Sequence, residues 1–179
     1  MTLGYRLSGP DNDSYMLHGG DSAPRCPVCG FVLNHEWINE KFSLKKRQWD
    51  ISFTYDAYCI VSTRFRDALG NDRGAIYRAL PSEPLFFVLD ANEAVAFDSH
   101  RRKTRFENFC EGCGRYRQVI GSTPVFLPTT EPLPDRLLRT DIEFGSDDAL
   151  HPLLLVGPNL GADLASADLA GLELMAVES

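Results

Sequence analysis

Two cysteine pairs of the same form constrain this chain more than any other feature of its sequence. Cys26-Pro27-Val28-Cys29-Gly30 and Cys110-Glu111-Gly112-Cys113-Gly114 each place two thiols three positions apart, with a glycine directly after the second. Two thiolates at this spacing chelate one ion from a tight turn, and zinc takes four such ligands in a tetrahedron. The glycine lets the backbone fold back, so that amide N–H groups can point at the sulfurs. The sequence therefore predicts one zinc site, with the ligands Cys26, Cys29, Cys110 and Cys113.

The distance between the two pairs along the chain is unusual for a zinc ribbon. Eighty residues separate Cys29 from Cys110, whereas compact ribbons have about 15 to 20. Because loop-closure entropy rises only logarithmically with length, the two knuckles, at 24–31 and 108–115, can still meet in space. We therefore expect a split ribbon with most of a subdomain inserted between its halves, within a single domain of residues 1–179.

Other uses of the cysteines remain open at this point. Each pair could be a redox dithiol, the four thiols could form two disulfides, or the ligands could be vestigial. A redox motif normally opens a helix after a strand, whereas the prolines and glycines around both pairs favour turns. Four cysteine ligands would leave the zinc no vacancy, so it would be structural rather than catalytic. The fifth cysteine, Cys59, lies in an apolar strand pattern and is expected in the core.

Two similar strand–helix–strand units flank the centre of the chain, at 53–80 and 150–177. In the first, Ser62 is a plausible N-cap for a helix that ends at Gly70. In the second, Gly157-Pro158 opens the helix with a proline in its first turn. The fold class is therefore predicted to be α+β, strand-rich, with few short helices. The predicted elements are strands at Ala57–Val61, Gly74–Leu80, Pro152–Val156 and Gly171–Val177, and helices at Thr63–Leu69 and Leu160–Asp168.

Two strand pairings are also predicted from local patterns. Leu85–Leu89 and Ala94–Phe97, joined by a polar turn, have the pattern of a hairpin. Near the start of the chain, Tyr5–Leu7 and Tyr15–Leu17 are read as a short strand and its return.

Charge is distributed unevenly along a chain whose formal net charge is −7. From Thr129 onward there are ten acidic residues against two arginines. Such a field disfavours nucleic acid and favours a basic partner, although a solvated face is the simpler explanation. The predicted partner-binding residues are Asp141, Glu143, Asp147 and Asp148.

A short basic cluster surrounds the second cysteine pair and supports an alternative function. Aromatic residues alternate with its arginines, as they do in surfaces that stack nucleic-acid bases. Basic residues beside a zinc–thiolate site can equally offset its negative charge of about −2. Because the whole chain is acidic, nucleic acid is the less favoured partner. The cluster comprises Arg101, Arg102, Lys103, Arg105, Arg115 and Arg117, with Phe106, Phe109 and Tyr116.

Catalytic motifs are absent from the sequence. There is no G-x-S-x-G, P-loop or G-x-G-x-x-G pattern, and the histidines are scattered, at His18, His35, His100 and His151. Asp141 and Glu143 alternate along a strand, which is a poor basis for acid–base catalysis without a pocket. No apolar run approaches the roughly 18 residues that a membrane span needs, and no secretory signal begins the chain. We therefore expect a cytoplasmic protein that is not an enzyme and does not contact membranes.

The paired CPxCG and CxxCG motifs, with Arg115 after the second, resemble those of bacterial double-CXXCG motif proteins. The stretch RTDIEFGSDDALHPLLLVG, followed by a short helix and a GLEL strand, is similar to the later part of that group. The resemblance spans roughly residues 24 to 177. It implies structural Zn²⁺ held by Cys26, Cys29, Cys110 and Cys113. It also implies an immunity protein that binds and neutralises a cognate bacterial toxin, and the acidic residues of the chain favour a basic one.

Overall fold

Eleven strands account for most of the regular structure in residues 1–17 and 23–178, the part of the chain described by the computed structural model. The helices are α1 (Thr63–Leu69), α2 (Ser99–Arg102) and α3 (Pro158–Ser166), and a 3-10 turn covers Asp147–Ala149. The predicted strand-rich α+β class is therefore confirmed. The strands are β1 (Thr2–Ser8), β2 (Ile51–Phe53), β3 (Cys59–Ser62), β4 (Ala75–Ala79), β5 (Phe86–Ala91), β6 (Ala94–Val95), β7 (Arg105–Cys110), β8 (Arg115–Ile120), β9 (Leu137–Ser146), β10 (His151–Val156) and β11 (Glu173–Glu178).

The strands form two sheets. The larger has the order β11-β1-β10-β9-β8-β7, and β6 adds to it by pairing in parallel with β9. The smaller has the order β2-β3-β5-β4. The whole smaller sheet lies in the chain between the two cysteine pairs, as the insertion expected from their spacing. Among the described residues, no helix has the length and apolarity to cross a membrane.

The two strand–helix–strand units have equivalent arrangements in different sheets. The strands of each unit are parallel but not adjacent, because an antiparallel strand lies between them: β5 between β3 and β4, and β1 between β10 and β11. The sheet orders β2-β3-β5-β4 and β9-β10-β1-β11 therefore correspond strand for strand. The middle strand follows its unit in one case, whereas in the other it is the first strand of the chain. Equivalent positions are buried in both units: Val61 and Val156, Phe65 and Leu160, Leu69 and Leu164.

The predicted helix boundaries of α1 are confirmed by its caps. The hydroxyl of Ser62 accepts from the N–H of Phe65 at 3.2 Å, and Gly70 ends the helix with a φ of 82°. In α3, Gly157 is the N-cap and Pro158 follows it in the first turn. The Asp135 carboxylate then accepts from the exposed N–H groups at the start of α3, because a helix N-terminus lacks internal acceptors.

Both predicted local pairings are wrong. Leu85–Leu89 and Ala94–Phe97 do not form a hairpin: β5 pairs with β3 and β4, whereas β6 crosses to the larger sheet and pairs with β9. Tyr15–Leu17 is not the return of β1, whose partners are β10 and β11. The N–H groups of Met16 and Leu17 donate instead to the Asp56 carboxylate, at 3.0 and 2.7 Å. A side chain distant in sequence thus takes the donors that a strand partner would have used.

A buried carboxylate connects the two units. The Asp50 side chain accepts from the Ser62 hydroxyl at 2.7 Å, from an Arg64 nitrogen at 2.8 Å and from the Ala170 N–H at 2.9 Å. The Arg64 guanidinium also donates to the carbonyls that follow α3. The start of α1 is thereby fastened to the segment that leads into β11. Apolar residues of both units also share one core cluster.

Replacing Asp50 with asparagine tests this connection. An amide cannot accept from all three donors, so we expect Asp50→Asn to lower the free energy of unfolding by about 1–3 kcal/mol. Asp67→Asn is the matched control, because Asp67 is 76% exposed and lies 3.7 Å from Arg66. Its expected loss is below about 0.5 kcal/mol. Urea denaturation measures both values, and equal losses would contradict a linking role for Asp50.

Candidate metal centre

The first cysteine pair lies in a tight turn closed by an isolated antiparallel bridge between Arg25 and Val32. The Cys26 N–H donates to the Phe31 carbonyl at 2.8 Å, and the Gly30 N–H donates to the Cys26 carbonyl at the same distance. Gly30 has a φ of 74°, a left-handed conformation that glycine adopts without steric cost. The glycine after the second cysteine therefore closes the turn, as the sequence predicts.

The second pair repeats this geometry at the tip of the β7–β8 hairpin. Cys110 ends β7, and the Gly114 N–H donates to the Cys110 carbonyl at 2.8 Å. Gly114, like Gly30, has a left-handed backbone conformation, with a φ of 69°. A Cβ atom at Gly112 would lie only 2.6 Å from the Val28 side chain in the first turn. The two turns therefore pack against each other, and their close approach requires glycine at position 112.

All four predicted ligands converge between the two turns. Their sulfur atoms lie within 4.8 Å of one another, with 3.9 Å between Cys26 and Cys110 and 3.8 Å between Cys29 and Cys113. A tetrahedral ion with metal–sulfur bonds of about 2.3 Å requires sulfur separations of about 3.8 Å. The five cysteines are free thiols. The four-cysteine cluster thus has the composition and the spacing to hold one metal ion.

The electrostatics of the sulfurs also favour a bound cation. The N–H groups of Cys29 and Val28 donate to the Cys26 sulfur and lower the pKa of that thiol to about 7. The Phe31 N–H likewise favours the Cys29 thiolate, but desolvation and the neighbouring cysteines outweigh it and raise the pKa of Cys29 to about 12. Four thiolates at this separation would repel one another, and a cation bound between them would offset that repulsion.

Two of the predicted partner-binding aspartates brace the first and second turns. The Asp148 carboxylate accepts from Arg25 at 2.8 Å and from the Val32 N–H at 3.1 Å. Asp147 accepts from the Arg117 guanidinium at 2.8 and 2.6 Å. The 3-10 turn that carries both aspartates is therefore part of the support of the cysteine cluster.

The other two predicted partner-binding residues lie on β9. The Asp141 carboxylate accepts from the Phe97 N–H at 2.9 Å. Glu143 lines a cavity between the two sheets. A partner-binding role for the four acidic residues stays a prediction, although three of their side chains have intramolecular hydrogen bonds.

Cys59 lies outside the metal-ligand cluster, as expected from its apolar surroundings. It begins β3 in the smaller sheet and is 5% exposed. Desolvation raises the pKa of its thiol far above the ordinary value. It therefore serves as a small apolar core residue.

One group of residues was missed by sequence reasoning. His35 and His151 have ring centroids 5.1 Å apart, and Tyr58 lies 4.8 Å from His151. These residues come from a loop, from β10 and from the segment before β3, so no spacing in the sequence could have joined them. His100 lies on α2, and His18 falls outside the described residues.

Comparison with protein-family models and with curated proteins finds no match to this chain.

Cysteine substitutions separate metal ligation from core packing. We expect Cys26→Ser or Cys110→Ser to abolish stoichiometric metal binding and to lower Tm, because three sulfurs cannot complete the tetrahedron. Cys59→Ala is the control, and it should lose stability through a core cavity while retaining the metal. Metal analysis of reduced protein and thermal denaturation give the two readouts. Full metal occupancy in Cys110→Ser would contradict the ligand assignment.

Proposed function

We propose that the chain is a zinc-binding protein whose metal is structural and whose function is to bind a protein partner. Tetrahedral coordination by four thiolates favours zinc among the common intracellular divalent ions. With all four positions taken by cysteine, such a centre has no site for water or substrate. We infer that the ion stabilises the fold and that the protein is not an enzyme.

The observation that carries the partner-binding proposal is an exposed aromatic surface beside the cysteine cluster. Phe106, Phe109 and Tyr116 are 40%, 55% and 41% exposed. Their rings are in contact, with centroid distances of 5.3 Å between Phe106 and Tyr116 and 5.0 Å between Phe109 and Tyr116. We name these three residues the hairpin rings. Clustered, exposed aromatic side chains are typical of the centres of protein interfaces.

The position of the hairpin rings also suits a docking surface. They lie on β7 and β8, and β7 is the outermost strand on its side of the larger sheet. The cysteine cluster holds the tip of the same hairpin, so a bound metal would fix the rings before a partner arrives. A rigid surface loses little conformational entropy on binding.

The resemblance to double-CXXCG motif proteins leads us to propose an immunity protein that neutralises a bacterial toxin in the cytoplasm. The four acidic residues between Asp141 and Asp148, which we call the acidic segment, support a basic partner, because complementary charge accelerates encounter. Within that segment Asp147 and Asp148 also support the cysteine turns, so charge reversal there must be accompanied by metal analysis.

A nucleic-acid-binding zinc ribbon is the second candidate. It is favoured by the basic residues that flank the hairpin rings on α2 and β7. Against it, Arg117 is paired with Asp147, and Arg105 lies 3.6 Å from Glu107. Binding through phosphates would weaken steeply as salt increases, whereas binding centred on the hairpin rings would change little. A thiol redox role is a third, weaker alternative, since a metal would occupy the four thiols.

Substitution of a hairpin ring tests the proposed surface. Capture on the immobilised wild-type protein, followed by mass spectrometry, identifies the partner in a lysate of the source organism. We expect Phe109→Ser to raise the Kd for that partner by about 30-fold or more, the effect of losing an interface anchor. Met175→Ser is the matched control, because Met175 is 44% exposed on β11 at the opposite edge of the same sheet.

The outcomes distinguish the parts of the proposal. If production of the captured partner arrests growth and co-production of this chain restores it, the immunity function is supported. A harmless partner would overturn immunity but leave partner binding standing. Unchanged affinity in Phe109→Ser, with metal content intact, would show that the hairpin rings are not the interface.

A further inference from the structure

A cavity of about 250 Å³ lies between the two sheets, apart from the hairpin rings. Its walls come from β3, β4 and β5 on one side and from β9 and β10 on the other, with the loop after the first cysteine turn. One water molecule occupies about 30 Å³ of liquid. The cavity is therefore larger than a single bridging water requires.

Buried polar atoms without a protein partner are concentrated at this cavity. Across residues 1–17 and 23–178, eight buried side-chain nitrogen or oxygen atoms have no hydrogen-bond partner, and five of them belong to residues that line it. The Tyr58 hydroxyl is one, on a side chain that is only 1% exposed. The others are Nδ1 and Nε2 of His35, Nε2 of His151 and Nη1 of Arg115. Such atoms destabilise a fold unless a bound molecule or water supplies the missing partner.

His151 contributes a hydrogen-bond acceptor to the cavity. Desolvation lowers the pKa of His151 to about 3, with a smaller contribution from His35, so the imidazole is neutral at physiological pH. The backbone of Asp56 forms a hydrogen bond with the ring. A neutral imidazole has one N–H, and here it is donated to the Asp56 carbonyl, so the unpartnered Nε2 is a hydrogen-bond acceptor on a residue that lines the cavity.

A bulge in β9 brings two charged residues to the same wall. Pro152 of β10 lies opposite Glu143, whereas Leu154 lies opposite Arg139. An advance of two residues along β10 therefore corresponds to an advance of four residues along β9. Because two residues of a strand span about 6–7 Å, Arg139 and Glu143 are separated by only that distance along the strand direction. Bulges of this kind redirect side chains and are frequent beside functional sites.

The bulge is held by a buried hydroxyl. Thr140 is fully buried, and its hydroxyl donates to the Ile142 carbonyl at 2.7 Å while accepting from the Leu153 N–H at 2.9 Å. These bonds replace part of the ladder that the bulge interrupts. The placement of Arg139 and Glu143 is therefore a fixed feature of the fold.

The charges of Arg139 and Glu143 are available to a ligand. Neither side chain has an ion-pair partner in the part of the chain that the structure describes. Arg78, which also lines the cavity, is already bonded to Glu36 at 3.0 Å and to Asp90 at 3.2 Å. Arg115, which also lines the cavity, has no ion-pair partner among the described residues either. The cavity thus presents two free guanidinium groups and one free carboxylate to its contents, and a complementary molecule carries both signs of charge.

We propose that this cavity binds a small zwitterion of the α-amino acid class, with its carboxylate on Arg139 and its ammonium group on Glu143 and the Nε2 acceptor of His151. The Tyr58 hydroxyl and Arg115 supply further hydrogen bonds to the ligand carboxylate. A metal ion is a poorer fit. Within the described residues, the only convergent group of metal-ligating side chains is the four-cysteine cluster.

The experiment uses the full-length, metal-loaded protein and the twenty proteinogenic amino acids as probes. Thermal shift finds the best binder and calorimetry gives its Kd. We expect N-acetylation of that amino acid, which removes the ammonium charge, and amidation, which removes the carboxylate, each to raise the Kd at least tenfold. Lack of binding by all twenty up to about 10 mM would overturn the proposal and leave a water-filled cavity.

Two variants assign the charges to their partners. In Glu143→Gln the preference for the free amine over its N-acetyl form should disappear, and in Arg139→Gln the preference for the acid over its amide should disappear. Arg136→Gln is the matched control, because Arg136 is exposed and paired with Glu93 at 2.9 Å. Unchanged preferences in both variants would overturn the proposal. If a variant does not fold, the amine and acid derivatives decide the question on the wild type alone.

Discussion

The convergence of four cysteine sulfurs is the constraint on which the arrangement of this protein depends. The sulfurs join two short turns that are far apart in the sequence, and the whole smaller sheet lies between them. A metal at this point would close a long loop, and the entropy lost by the unfolded chain would stabilise the folded one. The aspartates of the 3-10 turn extend the junction to the end of β9, so the cysteine turns, the β7–β8 hairpin and the acidic segment form one connected structure.

This connection gives the acidic segment two roles. Asp147 and Asp148 are spaced like a solvated or partner-binding charge cluster in the sequence, yet their carboxylates are bonded to arginines beside the cysteines. A partner that bound these carboxylates would compete for them with Arg25 and Arg117, and so would weaken the support of the cysteine cluster. The hairpin rings do not support the cysteine cluster in this way, so they are the better candidate for the centre of an interface.

Local features of the fold could be predicted from the sequence, whereas long-range ones could not. Ser62 and Gly70 mark the ends of α1 because caps act within one turn of a helix, and the glycine after each cysteine pair reflects a backbone conformation required at that residue. The hairpin proposed for Leu85–Leu89 and Ala94–Phe97 failed because strand partners are chosen by the whole sheet. The cavity between the sheets could not be predicted, because the two-residue bulge in β9 that brings Arg139 and Glu143 to its wall does not alter the hydrophobic periodicity of the sequence.

The place of β1 in the larger sheet has a consequence for how the protein folds during synthesis. Of the eleven strands, β1 is synthesised first, whereas its two neighbours, β10 and β11, are synthesised last: Tyr5 lies opposite Val156 and Ala176. The residues of β1 therefore have no strand partner until β10 and β11 have been synthesised. Pairings of such high sequence separation form slowly, so the larger sheet is completed late, whereas the smaller one can assemble from neighbouring strands while translation continues.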